Sequence, residues 1–196
     1  GLTYSQTSPV VDDSTAAAVA FNGTTGYATV SSSSAYALEY NQPWSIKFWF
    51  RKTANGFYHL AGNMLGTGSL RGYAVFLDSN QIQVYMVNNF GSNLYLSQRW
   101  TSTTLANNQW YRVIVTYNGS GTAAGFECYL DGVFQTNKTV IKDTLGGNTI
   151  LPAANFTFGA RDGGACCFLS GQLAELSIHS GVLSQTDVTR DYFYSN

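Results

Sequence analysis

Trp44-Ser45-Ile46-Lys47-Phe48-Trp49-Phe50-Arg51 alternates as a strand does. Ile46, Phe48 and Phe50 fall on one side and Lys47, Trp49 and Arg51 on the other, because successive strand side chains point to opposite faces. The same period extends outward from this stretch in both directions. Tyr111 to Tyr117 puts Val113, Val115 and Tyr117 on one face, and Phe126 to Leu130 alternates before an Asp131-Gly132 turn into Val133-Phe134-Gln135. Tyr73 to Asp78 and Gln81 to Val87 form a hairpin around Asp78-Ser79-Asn80, while Phe57 to Ala61, Phe156 to Ala160 and Gln172 to His179 read as further strands. Near the start, Val19 and Phe21 alternate up to Asn22-Gly23-Thr24-Thr25-Gly26, and Tyr27-Ala28-Thr29-Val30 resumes, which predicts a hairpin closed by the Asn-Gly turn. Gly62 to Gly72 reads as a loop. Only the tail carries a helical signal, where Ser184 and Asp187 match a capping box with Asp replacing Glu or Gln. Many short strands separated by turns predict an all-β, two-sheet antiparallel jelly-roll sandwich.

The chain has 196 residues, enough for one domain over 1–196 with a substantial core, and shows neither linker nor repeat. Charged residues make up 11% and the net charge is −1. Ten Lys and Arg spread along the chain offer no basic stripe, which argues against a nucleic-acid partner. No apolar run approaches the roughly 20 residues of a membrane span. Gly1 opens the chain without a basic start and apolar run, so no export signal is expected within it. Ser, Thr, Asn and Gly supply the surface polarity, which fits an extracellular or virion-surface setting. Cys128, Cys166 and Cys167 are odd in number and predict no disulfide framework. Cys128 alternates with Phe126 and Leu130 and is expected to face the core. Cys166 and Cys167 read as a loop thiol pair, with a bridge from one of them to Cys128 as the alternative. All three are expected to be dispensable for folding.

Five blocks, in order, resemble laminin G-like domains of the concanavalin A-like lectin/glucanase superfamily. Ala18 to Gly23 with Gly26 to Val30 resembles the opening strands, and Trp44 to Phe50 the next core strand. Asn108-Gln109-Trp110-Tyr111-Arg112-Val113-Ile114-Val115-Thr116-Tyr117-Asn118-Gly119 resembles the central strand and turn, and Cys128-Tyr129-Leu130-Asp131-Gly132 the strand that follows. Phe158-Gly159, Gly171 to Leu176 and Leu183-Ser184 resemble the closing strand and short helix. The blocks span about residues 18 to 190 and imply the jelly roll, a fold that carries lectins, adhesion domains and hydrolases alike. Some relatives hold calcium at the sandwich rim, where the closing strand carries an acidic pair. Here Ala174 precedes Glu175, and calcium asks for six to eight oxygen ligands. No cofactor is therefore expected, and a structural calcium is the alternative that this departure puts in doubt.

The catalytic relatives carry Glu-x-Asp-x-x-Glu or a close variant on one strand, because glycoside hydrolysis needs two carboxylates flanking the bond. None of Glu39, Glu127 and Glu175 stands in such a pattern. His59 and His179 are the only histidines and no Gly-x-Ser-x-Gly elbow accompanies them. The chain is read as a non-catalytic glycan-recognition or adhesion domain, with hydrolase activity the weaker reading. The alternative from another class is a structural virion protein, such as a phage fibre or decoration domain, which would form a homo-oligomer. The carbohydrate site is expected in the loop-rich stretch Asn88 to Trp100, which mixes aromatics with planar hydrogen-bonding groups. Trp100 or Tyr95 would stack on a sugar face, and Asn88, Asn89, Asn93 and Arg99 would bond hydroxyls, with Arg161 and Asp162 as neighbours.

Overall fold

The computed structural model describes residues 1–10, 17–101, 105–152 and 154–194. The strands are β1 (Leu2–Thr7), β2 (Ala17–Asn22), β3 (Ala28–Val30), β4 (Pro43–Lys52), β5 (Phe57–Gly62), β6 (Gly72–Asp78), β7 (Gln81–Asn89), β8 (Leu94–Thr101), β9 (Trp110–Asn118), β10 (Phe126–Leu130), β11 (Val133–Phe134), β12 (Lys138–Asp143), β13 (Phe156–Phe158) and β14 (Ser170–Ser180), followed by helix α1 (Gln185–Tyr194). They form two seven-stranded sheets, β1-β2-β14-β4-β9-β10-β11 and β12-β8-β7-β6-β5-β13-β3, here called sheets one and two. Every described pairing is antiparallel. This is the expected two-sheet jelly roll.

Ile46, Phe48, Phe50, Val113, Val115 and Tyr117 from sheet one meet Tyr73, Val75, Leu77, Val84 and Leu96 from sheet two in one buried cluster between the sheets. The period-two reading of β4 and β9 is thereby confirmed. Cys128 lies in this core at 1% exposure. Burial pushes its thiol well up, so it packs as a small apolar residue. At one end of the sandwich the buried Lys52 ammonium is bracketed by three neutral oxygens: Asn55 Oδ1 at 2.7 Å, Ser79 O at 2.7 Å and Asn80 Oδ1 at 2.6 Å. It ties the end of β4 to the β6–β7 turn, one sheet to the other.

The outer face of sheet one is covered by α1. Ser184 Oγ accepts the Asp187 N–H at 3.2 Å while Asp187 Oδ2 accepts the Ser184 N–H at 3.2 Å, the predicted capping box. Val188 packs with Ile114 and Tyr129, and Tyr192 lies against Trp49 with ring centroids 6.1 Å apart. Arg112, 2% exposed, donates to Asp191 Oδ2 at 2.8 Å and lies over the Trp49 ring. Lys47 bonds the other Asp191 oxygen, and Glu175 stands 3.7 Å from Arg112.

Three expectations are corrected. The Asn22 to Gly26 turn does not close a hairpin, because β2 pairs with β1 and β14 in sheet one while β3 pairs with β13 in sheet two. Asn22 Oδ1 accepts the N–H groups of Thr24, Thr25 and Gly26, which curls the chain across to the other sheet. Residues 94–101 are a central strand rather than loop. Cys166 and Cys167 are joined to each other, and neither reaches Cys128.

Candidate open-face binding site

No described helix covers the outer face of sheet two as α1 covers sheet one; loop residues Met64, Leu70 and Cys167 cover its β5–β6 part, where His59, Ala74, Phe76 and Val87 are buried, and the rings of Phe57 and Phe90 stay exposed at its two ends. Cross-strand register fixes which side chains lie there. His59, Phe76, Gln83, Arg99 and Thr139 form one row, and Ala74, Tyr85, Ser97 and Lys142 the next. Leu77, Ile82 and Trp100 form a row on the opposite, core-facing side.

Aromatic rings run diagonally across the outward face. Phe57 stacks on Phe76 at 4.9 Å, Phe76 meets Tyr85 edge-on at 5.5 Å, Tyr85 approaches Tyr95 at 6.2 Å, and Tyr95 stacks on Phe90 at 4.8 Å. The two terminal rings are open to solvent, Phe57 at 44% and Phe90 at 41% exposure. Each is backed by a nearly parallel ring, which holds it in place at little further entropic cost. On one side of the diagonal lie polar groups in fixed positions. Gln83 Nε2 donates to Tyr85 Oη at 2.8 Å and to Ser97 Oγ at 2.9 Å. Burial raises the Tyr85 phenol, so it is neutral and able to donate at neutral pH. The Lys142 ammonium lies over the Tyr95 ring at 5.8 Å. On the other side, Met64, Leu70 and Cys167 pack against Ala74, Phe76 and Val87 and close that margin.

The expected site residues divide across this geometry. Tyr95 and Arg99 face outward on β8. Trp100 does not: it is 2% exposed in the core between the sheets, so it cannot stack on a sugar. The reason is strand parity, which alternates Tyr95, Ser97 and Arg99 outward with Leu96, Gln98 and Trp100 inward. The asparagines build the β7–β8 turn. Asn89 Oδ1 accepts the Ser92 N–H at 3.1 Å, Asn93 adopts φ +56°, and Asn88 donates to Thr149 O at 2.7 Å. Arg161 and Asp162 belong to the loop beside β5. Arg161 donates to Gly66 O at 3.1 Å, and its N–H bonds Cys166 O. That loop reaches the sheet through the His59 N–H bond to Cys167 O at 2.9 Å, so both expected regions border the same face from different sides. The sequence reading missed Phe57, Gln83, Tyr85, Ser97 and Lys142. The signal was present in the alternation of β7 and β8, once the loop assignment is replaced by a strand.

Carboxylates are spent elsewhere. Glu175 faces Arg112, Glu127 accepts from Tyr129 Oη at 3.4 Å on sheet one, and Glu39 accepts the Ile150 N–H at 2.9 Å. Among the described residues no three His, Cys, Asp or Glu side chains gather to hold a metal ion. A cleft of about 380 Å³ lies between α1 and β14, lined by Lys47, His179, Asp187, Arg190 and Asp191. Lys47 and Arg190 there already pair with Asp191 and Asp187. No described helix is long and apolar enough to cross a membrane.

The fold is an antiparallel jelly-roll sandwich with one outer face under a helix and an aromatic diagonal across the other. The sequence profile of the laminin G type within the concanavalin A-like lectin/glucanases superfamily matches residues 22–189, and the chain belongs to that family. No curated protein matches it in sequence. Among solved structures, the botulinum neurotoxin serotype G binding domain is similar at TM-score 0.69 and 16% identity, with 98% of this chain and 46% of that one covered. The binding domain of Paraclostridial mosquitocidal protein 1 is similar at TM-score 0.66 and 14% identity, over 98% of this chain and 47% of that one. This chain therefore spans about half of those domains. The Ruminococcus gnavus IT-sialidase CBM40 is similar at TM-score 0.61 and 11% identity, over 85% of this chain and 96% of that one. It has also been solved bound to α2,3 sialyllactose. At these identities the likeness is one of fold.

Proposed function

We propose that the chain is a non-catalytic carbohydrate-binding domain of extracellular type, which holds glycans against the outer face of sheet two. The observation that carries this reading is the pair of exposed, ring-backed platforms, Phe57 and Phe90, joined by an aromatic diagonal and edged by Tyr85 and Arg99, with the buried Gln83 and Ser97 fixing the Tyr85 hydroxyl from beneath. Pyranose rings present C–H faces to aromatic planes and hydroxyls to planar amide and guanidinium groups. A fold shared with toxin binding domains and with a sialyllactose-binding module supports the reading. The scattered, internally engaged Glu side chains support the absence of hydrolysis. No metal enters the binding scheme, so chelation should leave binding unchanged.

The test is a glycan array followed by calorimetry on the best ligands, with Phe57→Ala and Phe90→Ala compared to wild type. Each substitution is expected to weaken binding while the domain still melts cooperatively. Full binding by the double variant would place the site elsewhere and overturn the reading.

A further inference from the structure

We infer that the β8–β12 side of the open face is a subsite for an acidic sugar, one whose ring carries a carboxylate. The inference rests on the glycan reading above and goes beyond it in naming the ligand's charge.

The argument begins with where the positive charges are engaged. Every Lys and Arg side chain outside β8 and β12 donates to a protein oxygen. Lys47, Arg112 and Arg190 reach carboxylates, Lys52 its three-oxygen cage, and Arg51, Arg71 and Arg161 neutral oxygens. For the remaining three, Arg99, Lys138 and Lys142, no side-chain hydrogen bond to an oxygen is found among the described residues, and they stand on two neighbouring strands. In a chain with only ten Lys and Arg, that segregation sets one margin of the face apart.

Their placement gives the subsite its geometry. Arg99 and Lys142 point outward, one row apart, opposite Thr139 and Ser97 respectively. Lys138 is exposed at the start of β12 but pairs in register with the inward Trp100, so it stands at the sheet edge beside the face rather than on it. The Arg99 Nε is buried without a hydrogen-bond partner among the described residues, as are those of Arg51 and Arg161, whose terminal nitrogens are however bonded to Gln172 and Gly66. A buried polar group in that state is stabilised by a ligand that supplies an acceptor. A guanidinium matches a carboxylate through two parallel N–H···O bonds, a fit that a neutral hydroxyl does not reproduce. Opposing charge on the face is sparse. Register places Asp78 on it, in the row of Gln81 and Thr101. Asp143 on β12 pairs with the inward Leu96, and its Oδ2 accepts the Ala123 N–H at 3.2 Å. The acidic sugar would set its carboxylate on Arg99 with Lys142 beside it, while the adjoining sugar lies toward Tyr85 and Phe90.

Calorimetry with the full chain tests this, using lactose, 3′-sialyllactose and 3′-sulfated lactose, on wild type, Arg99→Gln and Lys138→Gln/Lys142→Gln. Sialyllactose is expected to bind roughly ten-fold more tightly than lactose, the gain of one charge-assisted contact, and added salt should erode that gain. Arg99→Gln should abolish the preference, bringing the ratio of sialyllactose to lactose affinity down to about one. The lysine pair should lose a smaller part of the preference. Equal affinity for lactose and sialyllactose, or an Arg99→Gln variant that keeps the preference, overturns the inference and leaves the glycan reading standing. A preference for sulfated over carboxylated lactose overturns the assignment of a carboxylate. If lactose, sialyllactose and the glycans of the array all fail to bind, the inference and the underlying reading fall together.

Discussion

On the outer face of sheet one, Trp49, Ile114 and Tyr129 lie beneath a helix, and a buried guanidinium is answered by carboxylates. On the outer face of sheet two, Phe57, Tyr85 and Phe90 lie beneath no described helix, and the Arg99 Nε has no hydrogen-bond partner among the described residues. Both faces are built from the same period-two strands. What separates them is a single amphipathic segment after β14, which supplies Val188, Asp191 and Tyr192 to one face only. The covered face is a second small core, and its polar groups serve the fold. The outer face of sheet two keeps the Phe57 and Phe90 rings exposed at 44% and 41%, which is why the proposed ligand surface is placed there.

The sharpest way to break this contrast is to remove the closure. Asp191→Asn leaves Arg112 buried with only the more distant Glu175, and should destabilise the chain by about 3 kcal/mol, the usual cost of breaking a buried ion pair from one side. For a chain of this size that is a fall in Tm of about 6–12 °C, readable by calorimetry. Glycan binding should be untouched at temperatures where the variant is folded. A variant that lost binding without losing stability would show that the two faces are not independent.

Acid should probe the faces in sequence. Burial, with Arg161 adding to it, pushes the His59 imidazole down to about 3. The unfolded chain takes up that proton near pH 6.5, so stability should decline by about 1.4 kcal/mol per pH unit on going from roughly 6.5 toward 3. At Asp191, burial alone would raise the carboxyl, but hydrogen bonds from Arg112 and Lys47 overcome it and hold the group below its ordinary value. Its stabilisation is present above about pH 4 and is lost as pH falls through the lower folded value. Denaturant titrations across pH should show the first slope vanish in His59→Leu and the second vanish in Asp191→Asn. A flat wild-type profile between pH 6 and 4 would refute the burial of His59.

The open face should respond in binding rather than stability. Phe90→Ala removes a ring already 41% exposed, so its Tm should shift by only about 2–4 °C. Glycan affinity should fall by roughly 5- to 30-fold, corresponding to about 1–2 kcal/mol of lost ring contact. The smallest effect concerns the margin of that face. The Cys166–Cys167 bridge joins adjacent residues and so closes almost no loop in the unfolded chain. Reduction should cost only about 1 kcal/mol, a Tm shift of about 3 °C. A fall above about 10 °C on reduction would mean that the bridge organises far more of the sandwich than its loop.

The fold was legible where alternation was strong and both neighbours were regular. β4, β6, β7, β9, β10 and the capping box at Ser184 all follow from local rules. The Asn22 turn misled because an Asn-Gly pair signals reversal, whereas the Asx bonds of Asn22 decide which sheet the next strand joins. β8 was hidden by its polar outward residues. Ser97, Gln98 and Arg99 in a row look like a loop until the partner strands β7 and β12 are known, and those pairings are long-range facts that composition does not carry. For the same reason the site was half visible. Its chemistry, aromatic rings beside Arg99, lies in the stretch that the sequence marks, but Trp100 and Arg99 are neighbours in the chain and face opposite sides of the sheet. Phe57, more than thirty residues away, comes into the site only through the β5–β6 and β6–β7 pairings.

β12 is the outermost strand of sheet two and shows Val140 at 49% and Ile141 at 37% exposure. Thr139-Val140-Ile141 on an unpaired edge is a template onto which another extended chain can dock, and Lys138 and Lys142 bracket it on either side. Charge at both ends of an exposed edge segment disfavours its pairing with a second copy of the same edge. Neutralising the two lysines to retune sugar preference removes the electrostatic guard from an apolar edge. Arg99 stands on β8, one strand in from that edge, so its substitution leaves the edge charges in place.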